Sequence, residues 1–195
     1  MFYIIEIEDY VRVSPELFAL PVDEAIVAQL KKKYLDYINK ELGIVVGVMD
    51  VVNIGEGIII PGDGAAYYKC NFRLLSFIPE LQELVFGEVS EITNFGAFMN
   101  LGATEGMIHV SQTMDDFVSF SKSSTLIGRN SKRSLRKGDL CLSRIVAISY
   151  RAEQPKIGLT MRQPGLGKIE WIQEDKRKAK RIAVGAEVKP KKKKK

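Results

Sequence analysis

One long amphipathic segment followed by a succession of strand-like segments is the feature that most constrains this fold. Residues 21–43 read PVDEAIVAQLKKKYLDYINKELG, with an apolar side chain at every fourth position. These positions are Ile26, Leu30, Tyr34, Ile38 and Leu42. Gly43 stands where a helix would end, because glycine readily takes the left-handed conformation of a helix C-terminus. We therefore predict one helix over residues 21–43.

Two strand patterns follow this helix. The run IVVGVMDVVNI is rich in β-branched residues over residues 44–54, and AYYKCNFRLL alternates apolar and polar side chains over residues 66–75. The apolar positions of the alternating segment are Tyr68, Cys70, Phe72 and Leu74. A helix packed on an antiparallel sheet would bury this face, so we predict an α+β domain. Pro79 closes it near Leu81, which gives an N-terminal domain over residues 1–81.

The remaining chain predicts a second, all-β domain. With 195 residues and 46% apolar content, the protein is long enough to bury two small cores. Residues 82–165 contain a long curved strand, a short strand around EGMIHVS, a long basic loop, and the strands LCLSRIVAIS and KIGLTMR. Five strands with a loop between the third and fourth resemble an OB-fold barrel. A short helix over residues 166–182 and a basic tail over 183–195 without fixed structure complete the chain.

The segment ITNFGAFMNLGATEGMIHVS, residues 92–111, brings together two phenylalanines and the only histidine of the chain. Positions three apart on a regular strand point to opposite faces, so Phe95 and Phe98 share a face only if one residue bulges out of register. Gly96 is suited to such a bulge. His109 falls outward if its neighbours point inward, so all three rings can line one outer face. The alternative is two core phenylalanines and a surface histidine without a task.

Charge is segregated along the chain. Residues 176–195 carry a net charge of +10, so the preceding residues carry −5 within a total of +5. The run KSSTLIGRNSKRSLRK, residues 122–137, holds six basic residues and no acidic one. Such patches indicate a polyanionic partner better than a uniformly cationic surface would.

The glycine-rich segment GEGIIIPGDG, residues 55–64, lacks the Gly-Lys-Ser/Thr sequence that holds a nucleotide phosphate. We interpret it as two tight turns at the end of a hairpin, where glycine supplies positive φ angles. Its central run of three isoleucines has no evident core to enter. An exposed apolar tip of this kind can dock into a partner.

The sequence lacks the residues that several classes of function require. Cys70 and Cys141 match no C-x-x-C pattern and have one histidine between them, too few ligands for a structural zinc site, so we expect two buried thiols. Asp115 and Asp116 are adjacent and would point apart on a strand, which does not suit a catalytic metal. No apolar run approaches a membrane span, and the N-terminus does not resemble a signal peptide. We therefore expect an intracellular, cytoplasmic protein without metal or cofactor.

The spacing G-x-V…F-G-A-F…G-x-x-H-x-S over about 80 residues resembles the S-one domain family. The resemblance implies a surface on which single-stranded RNA bases stack, formed here by Phe95, Phe98, His109 and Lys156. Ser149 or Tyr150 occupies the place where the family often has an acidic residue. The basic residues expected to meet RNA phosphates are Arg129, Lys132, Arg133, Arg136 and Lys137.

Nearly the whole chain resembles the family of the E-prime subunit of archaeal RNA polymerase, whose eukaryotic relative is the seventh subunit of RNA polymerase II. The motifs are SPELFALP, the segment from GEGIIIPGDG to LVFGEV, and LTMRQPGLGKIEW. The resemblance implies that the first domain docks on the polymerase core through a glycine-rich tip. The tip residues would be Gly55, Gly57, Gly62, Asp63 and Gly64.

The same resemblance implies the partners. A small helical protein, the F subunit of the polymerase, would pair with this chain as a heterodimer. The two would make a stalk that contacts nascent single-stranded RNA during promoter opening, elongation and termination. The chain would contribute no catalytic residue. The alternative is an S-one-domain RNA-binding protein of translation or of the exosome, which would share the barrel but not the N-terminal half.

Overall fold

The computed structural model describes residues 1–35, 37–121, 124–150 and 155–187. The chain forms two compact units, Met1–Glu80 and Leu81–Lys195. The first unit packs a helix on an antiparallel sheet, and the second contains a closed five-stranded barrel. The predicted fold class, an α+β domain followed by an all-β barrel, is therefore confirmed.

Among its described residues, the first unit contains four antiparallel strands and one α-helix. They are β1 (Phe2–Val13), α1 (Val22–Tyr34), β2 (Ile38–Asn39), β3 (Gly43–Ile59) and β4 (Ala66–Phe77). A 3-10 turn at Pro15–Leu17 precedes α1. The sheet order is β1-β4-β3-β2, and β1 pairs with β4 along its whole length.

Helix α1 covers one face of this sheet, because its apolar residues recur on one side. Ile26 and Leu30 are fully buried. They belong to a core with the strand residues Val11, Val13, Val45, Cys70, Phe72 and Leu74. The predicted alternation of β4 is confirmed at Cys70, Phe72 and Leu74, whereas Tyr68 is only partly buried.

Helix α1 ends at Tyr34 and does not reach Gly43, so the predicted helix boundary was wrong. Leu35 already has an extended backbone with ψ of 132°. Ile38 pairs with Ile44 across a hairpin, and Gly43 takes a φ of +71° at its turn. A Cβ atom on Gly43 would lie 2.4 Å from the carbonyl oxygen of Phe77. A four-residue spacing is compatible with both a longer helix and a new strand, and pairing with β3 decides between them.

The second unit contains nine strands and one helix among its described residues. In chain order they are β5 (Leu84–Ile92), β6 (Gly96–Asn100), β7 (Glu105–His109), β8 (Val118–Ser121), β9 (Thr125–Gly128), β10 (Ser134–Leu135), β11 (Leu140–Ser149), β12 (Lys156–Thr160), β13 (Gly167–Lys168) and α2 (Ile169–Glu187).

Five of these strands close into a barrel in the order β5-β6-β7-β12-β11, because β11 pairs with both β12 and β5. Strands β7 and β12 run parallel, and the other pairs are antiparallel. The inward residues of each strand fill the interior. Val89, Met99, Ile108, Ile145 and Leu159 are at most 1% exposed.

The predicted long basic loop is only partly a loop. Strands β8, β9 and β10 form a separate three-stranded sheet within it. Leu126 of β9 and Leu135 of β10 pair with each other and are fully buried. The polar and basic residues around these two leucines hide the strand pattern in the sequence, which is why the prediction missed the sheet. Lys122 lies outside the described residues.

Strand β13 and helix α2 follow the barrel. Strand β13 pairs with β11, and Trp171 at the start of α2 is buried. The helix continues to Glu187, so residues 183–187 are helical although we predicted a tail without fixed structure there. The rest of the predicted tail, residues 188–195, lies outside the described residues.

Both cysteines are buried free thiols, as expected. Burial raises the pKa of Cys141 to about 12, so this thiol stays protonated at neutral pH. Within the described residues, no three side chains of histidine, cysteine, aspartate or glutamate are grouped so that they could hold a metal ion. Neither described helix has a stretch that is both long and apolar enough to span a bilayer.

Candidate nucleic-acid interface

The outer face of strands β6 and β7 carries two of the three predicted rings. Phe98 pairs with Met107, and Gly96 pairs with His109 in an uninterrupted antiparallel register. Since side chains alternate along a strand, Phe98 and His109 share the outer face. The intervening residue Ile108 is fully buried inside the barrel. His109 is exposed and Phe98 is half-buried.

Phe95 reaches the same surface by a route that the sequence analysis did not predict. It lies in the turn before β6, is 47% exposed, and places its ring centroid 6.0 Å from that of Phe98 at an interplanar angle of 88°. Gly96 does not bulge; the register shift lies in β5, between Val89 and Glu91. We call the side chains of Phe95, Phe98 and His109 the ring platform.

Gly96 is required for a different reason. A Cβ atom at this position would lie 2.1 Å from the carbonyl oxygen of Ile108 on the paired strand. The close approach of β6 and β7 therefore excludes a side chain here. The predicted bulge was wrong, but the prediction of a shared face for the rings agrees with the geometry.

The imidazole of His109 is held in place by Ser111, which follows the end of strand β7. Its Nδ1 lies 2.8 Å from Oγ of Ser111 and accepts a hydrogen bond from the backbone N–H of Ser111 at 3.3 Å. Accepting at Nδ1 requires the tautomer with the proton on Nε2. The ring is thus oriented before any ligand arrives, and Nε2 is the atom available to donate to one.

Met107 is a member of this surface that the sequence analysis missed. It pairs with Phe98 on one side and with Gly158 of β12 on the other. Its side chain is 36% exposed. A thioether beside aromatic rings makes favourable contacts with π systems. The alternation of Met107, Ile108 and His109 was the available signal, because it puts Met107 and His109 on one face.

Lys156 begins strand β12 and is exposed. Its strand runs parallel to β7, and its own partner on β11 is Ser149. Ser149 and Tyr150, the residues expected at the family's acidic position, are both partly exposed. Burial raises the pKa of Tyr150, so this hydroxyl is a neutral donor at neutral pH. The polar edge near Lys156 therefore offers hydroxyl groups where an acid was expected.

Four of the five predicted basic residues are exposed in and around the three-stranded sheet: Arg129, Lys132, Arg136 and Lys137. Arg129 follows β9, and its backbone N–H donates to the carbonyl of Phe117 at 2.8 Å. Lys132 has a φ of +57° in the turn before β10. Their side chains extend from a fixed backbone, an arrangement that suits contact with phosphates.

Arg133 differs from the other four. Its guanidinium forms an ion pair with Asp175 of helix α2 and lies 5.6 Å from the centroid of the Trp171 ring. Both contacts join the small sheet to the C-terminal helix. The structure therefore gives Arg133 a packing role within the second unit, and its contact with RNA stays a prediction.

The five predicted tip residues fall into two groups. Gly62 and Gly64 lie in the turn between β3 and β4 with φ of +97° and +67°, as the turn prediction requires. Gly55 and Gly57 lie inside β3, so the interpretation of two turns was wrong there. Their strand is irregular between Ile54 and Gly57, and a Cβ on Gly57 would lie 2.7 Å from the Tyr68 ring. We define residues 60–64 as the tip loop.

Asp63 anchors the tip loop to the sheet. Its carboxylate accepts hydrogen bonds from Nε of Arg12 at 2.9 Å and from another guanidinium nitrogen of Arg12 at 2.6 Å. The hydroxyl of Tyr67 donates to the same carboxylate. The Arg12 guanidinium holds the pKa of Asp63 well below its usual range. The carboxylate is thus a structural clamp, and the exposed apolar residues Ile58, Ile59 and Ile60 border the turn that it fixes.

The two units match two known domain families. The family model of the S1 RNA binding domain matches the sequence over residues 78–155. The model described as "SHS2 domain found in N terminus of Rpb7p/Rpc25p/MJ0397" matches residues 8–64. The barrel with its outward rings is therefore an S1-type domain that follows an SHS2 domain.

Two relatives that match over nearly their whole length, and one that matches over about half of it, define the family more closely. The chain is 40% identical over 181 residues to DNA-directed RNA polymerase subunit Rpo7 of Sulfolobus acidocaldarius, a match that covers 92% of this chain and 99% of the relative. It is 37% identical to Rpo7 of Saccharolobus solfataricus, covering 91% of this chain and 100% of the relative. It is also 33% identical to DNA-directed RNA polymerase III subunit RPC8 of Saccharomyces cerevisiae, covering 58% and 54%.

The chain belongs to the Rpo7 family of archaeal DNA-directed RNA polymerase subunits. The family resemblance that its motifs indicated is therefore confirmed.

Proposed function

We propose that this chain is a non-catalytic stalk subunit of a multisubunit DNA-directed RNA polymerase and that it holds nascent single-stranded RNA on the ring platform. The observation that carries the proposal is the position of Phe95, Phe98 and His109 on one outer face of an S1-type barrel. Phe95 and His109 are exposed and Phe98 is half-buried, so none of the three rings is a core residue, and unpaired bases stack on exposed rings.

Weak and sequence-tolerant RNA binding is the expected behaviour. Stacking on an aromatic ring contributes about 1 to 3 kcal/mol per base and accepts any base, since every base has a π face. Lys156, Arg129, Lys132, Arg136 and Lys137 supply charge for phosphates, so binding should weaken as salt rises. A subunit that contacts each transcript in turn needs this lack of sequence preference.

The tip loop is the proposed contact with the polymerase core. Ile58, Ile59 and Ile60 are exposed although they are large and apolar, which favours burial against a partner. The clamp of Arg12, Asp63 and Tyr67 supports the same proposal, because a loop fixed in advance loses little conformational entropy on docking. Gly62 and Gly64 permit the tight turn that presents these isoleucines.

Further apolar side chains on the first unit support pairing with the helical F subunit. Phe18, Leu20, Val46, Met49 and Val52 are each well exposed. An amphipathic helix of a partner would remove such surface from water. In this proposal the heterodimer forms a stalk in the cytoplasm, where it assists promoter opening, elongation and termination.

Crosslinking in a transcribing complex tests the proposal. Polymerase would be assembled with the wild-type chain or with a Phe95→Ala and His109→Ala double variant, and the nascent transcript would carry a photoreactive uridine. We expect the transcript to crosslink to the wild-type chain, and the double variant to be incorporated normally but crosslinked much less. Equal crosslinking of both chains would contradict the platform. Copurification with ribosomes or with the exosome, and not with polymerase subunits, would favour the alternative family of S1-domain proteins.

A further inference from the structure

A pocket with a volume of about 760 Å³ opens in the second unit beside the ring platform. Its lining includes Val110, Ser111, Phe117, Asn130 and Arg162. We call it the side pocket. None of these residues is a member of the ring platform.

Three hydrogen bonds connect the side pocket to the ring platform. The backbone N–H of Val110 donates to the carbonyl oxygen of Phe95 at 2.9 Å. Ser111 contacts Nδ1 of His109 through both its hydroxyl and its backbone N–H. Two residues that line the pocket are thus bonded to two members of the platform.

Phe117 presents an aromatic ring at the pocket with no packing reason for its position. Its side chain is 78% exposed, the largest value among the large hydrophobic residues that the structure describes as exposed. Its backbone is held firmly, because its N–H donates to Oδ1 of Asp116 at 2.7 Å and its carbonyl accepts from Arg129. The ring therefore protrudes from a fixed point, as a stacking surface requires.

Both acidic residues at the pocket have carboxylate oxygens occupied by donors of this chain. Oδ2 of Asp116 accepts the backbone N–H groups of Asn130 and Ser131 at 2.8 and 2.7 Å, and Oδ1 accepts the side-chain amide of Asn130 at 3.0 Å. Asp115 is paired with Arg162 at 2.9 Å. Neutral N–H donors therefore hold Asp116, which keeps its negative charge, and the Arg162 guanidinium offsets the charge of Asp115.

The loop that holds Asn130 and Ser131 also carries exposed positive charge. Arg129 and Lys132 flank these two residues and are both exposed. An exposed aromatic ring at the pocket, together with cationic residues next to Asn130 and Ser131 in the loop, suits a nucleotide, which brings a base to stack and a phosphate to neutralise. A protein segment would use the apolar wall but has no general need of the cations.

We propose that the side pocket accepts one further unpaired nucleotide of single-stranded RNA, with its base against Phe117 and its phosphate toward Arg129 and Lys132. This inference rests on the proposed function of the ring platform and extends the RNA path beyond it. The pocket gives the path a direction, from Phe98 past His109 to Phe117.

Binding of a labelled oligouridylate of about ten nucleotides tests the proposal on the full chain. Phe117→Ala should lower the affinity about five-fold or more, because it removes one stacking partner. Phe117→Trp should keep the affinity near that of the wild type. Phe120→Ala is the matched control: Phe120 is 43% exposed on β8 of the same small sheet but does not line the pocket. It should leave the affinity unchanged.

Fluorescence gives a second, direct readout. The wild-type chain has one tryptophan, Trp171, which is only 6% exposed and supplies a constant background. Added oligouridylate should quench the new emission of Phe117→Trp and should not quench that of Phe120→Trp. Equal quenching of both variants, or of neither, would overturn the inference.

Comparison with Phe98→Ala separates failure of the inference from failure of the proposed function. Loss of affinity in Phe98→Ala with wild-type affinity in Phe117→Ala would overturn the side pocket and leave the ring platform standing. Wild-type affinity in both variants would contradict the platform itself. If Phe117→Ala binds RNA normally but is retained less well by polymerase, the pocket holds a protein segment and the inference is wrong.

Discussion

Replacing Phe98 by alanine separates the two possible roles of the central ring in the platform. As a stacking surface, Phe98 contributes mainly to RNA affinity. As a core residue, it would contribute mainly to the free energy of unfolding. Its neighbour Met99 offers a matched control, because the next residue on the same strand points into the barrel and is fully buried.

The structure sets the expected magnitudes. Phe98 is half-buried and meets Phe95 edge to face, a contact that contributes about 0.5 to 1.5 kcal/mol. Phe98→Ala should therefore lower the free energy of unfolding by about 1 to 2 kcal/mol, well below the about 3 to 5 kcal/mol of a buried phenylalanine. The loss of one stack should lower RNA affinity by about 1 to 3 kcal/mol. Met99→Ala should cost about 2 to 5 kcal/mol of stability and leave the affinity of the folded protein unchanged.

Urea unfolding and fluorescence anisotropy with a labelled oligouridylate measure the two quantities on each variant. Binding would be recorded at two salt concentrations, so that weaker stacking is distinguished from weaker phosphate binding. The expected result is a crossed pattern, with Phe98→Ala deficient in binding and Met99→Ala deficient in stability. A Phe98→Ala protein as unstable as Met99→Ala that binds RNA normally would refute the ring platform.

Three further predictions concern the tip loop, the small sheet and the basic residues. Gly62→Val should strain a backbone with φ of +97° and reduce incorporation into polymerase without changing RNA affinity, whereas Gly47→Val, where a Cβ meets open space, serves as the control in a pull-down. The pKa of Asp116 is lowered to about 2 from 3.8 because Ser131 and neighbouring backbone groups donate to it, so its contribution to stability is present above about pH 3.8 and is lost as pH falls toward about 2. The difference in unfolding free energy between the wild type and Asp116→Asn should shrink over that interval, and a constant difference would exclude this role. Changing Lys132 and Lys137 together to glutamine should flatten the salt dependence of RNA binding by about 0.7 in log–log slope for each phosphate that is no longer neutralised, and an unchanged slope would mean that neither residue meets a phosphate.

The sequence predicted secondary structure most reliably where the spacing of apolar residues was compatible with only one kind of element. The alternation in β4 predicted the burial of Cys70, Phe72 and Leu74, because alternation alone identifies which face of a strand is buried when only one face is covered. The helix boundary failed because Ile38 fits both a helical spacing and a strand position, and only its partner Ile44 distinguishes them. The residues around Ile38 do not show by themselves that Ile38 pairs with Ile44.

The candidate site shows the same division. The sequence predicted that Phe95, Phe98 and His109 share a face, but it assigned the cause to a bulge at Gly96. The register instead shifts in β5, and Phe95 enters from a turn. The number of residues between two rings limits how far apart the rings can lie. It does not fix the backbone conformation, because several conformations can bring rings at the same sequence separation to one face.

The sequence by itself determined the family of this protein, the order of its two domains and the residue types proposed to meet RNA. Those properties follow from motifs and from local periodicity, which depend on residues that are close together in the sequence. The tertiary structure alone decided that Arg133 packs against helix α2, that Met107 lies beside Phe98 on the outer face, and that Phe117 lines a pocket beside His109. Each of these depends on contacts between residues distant in sequence, and the closing of the barrel and the folding of the small sheet bring those residues together.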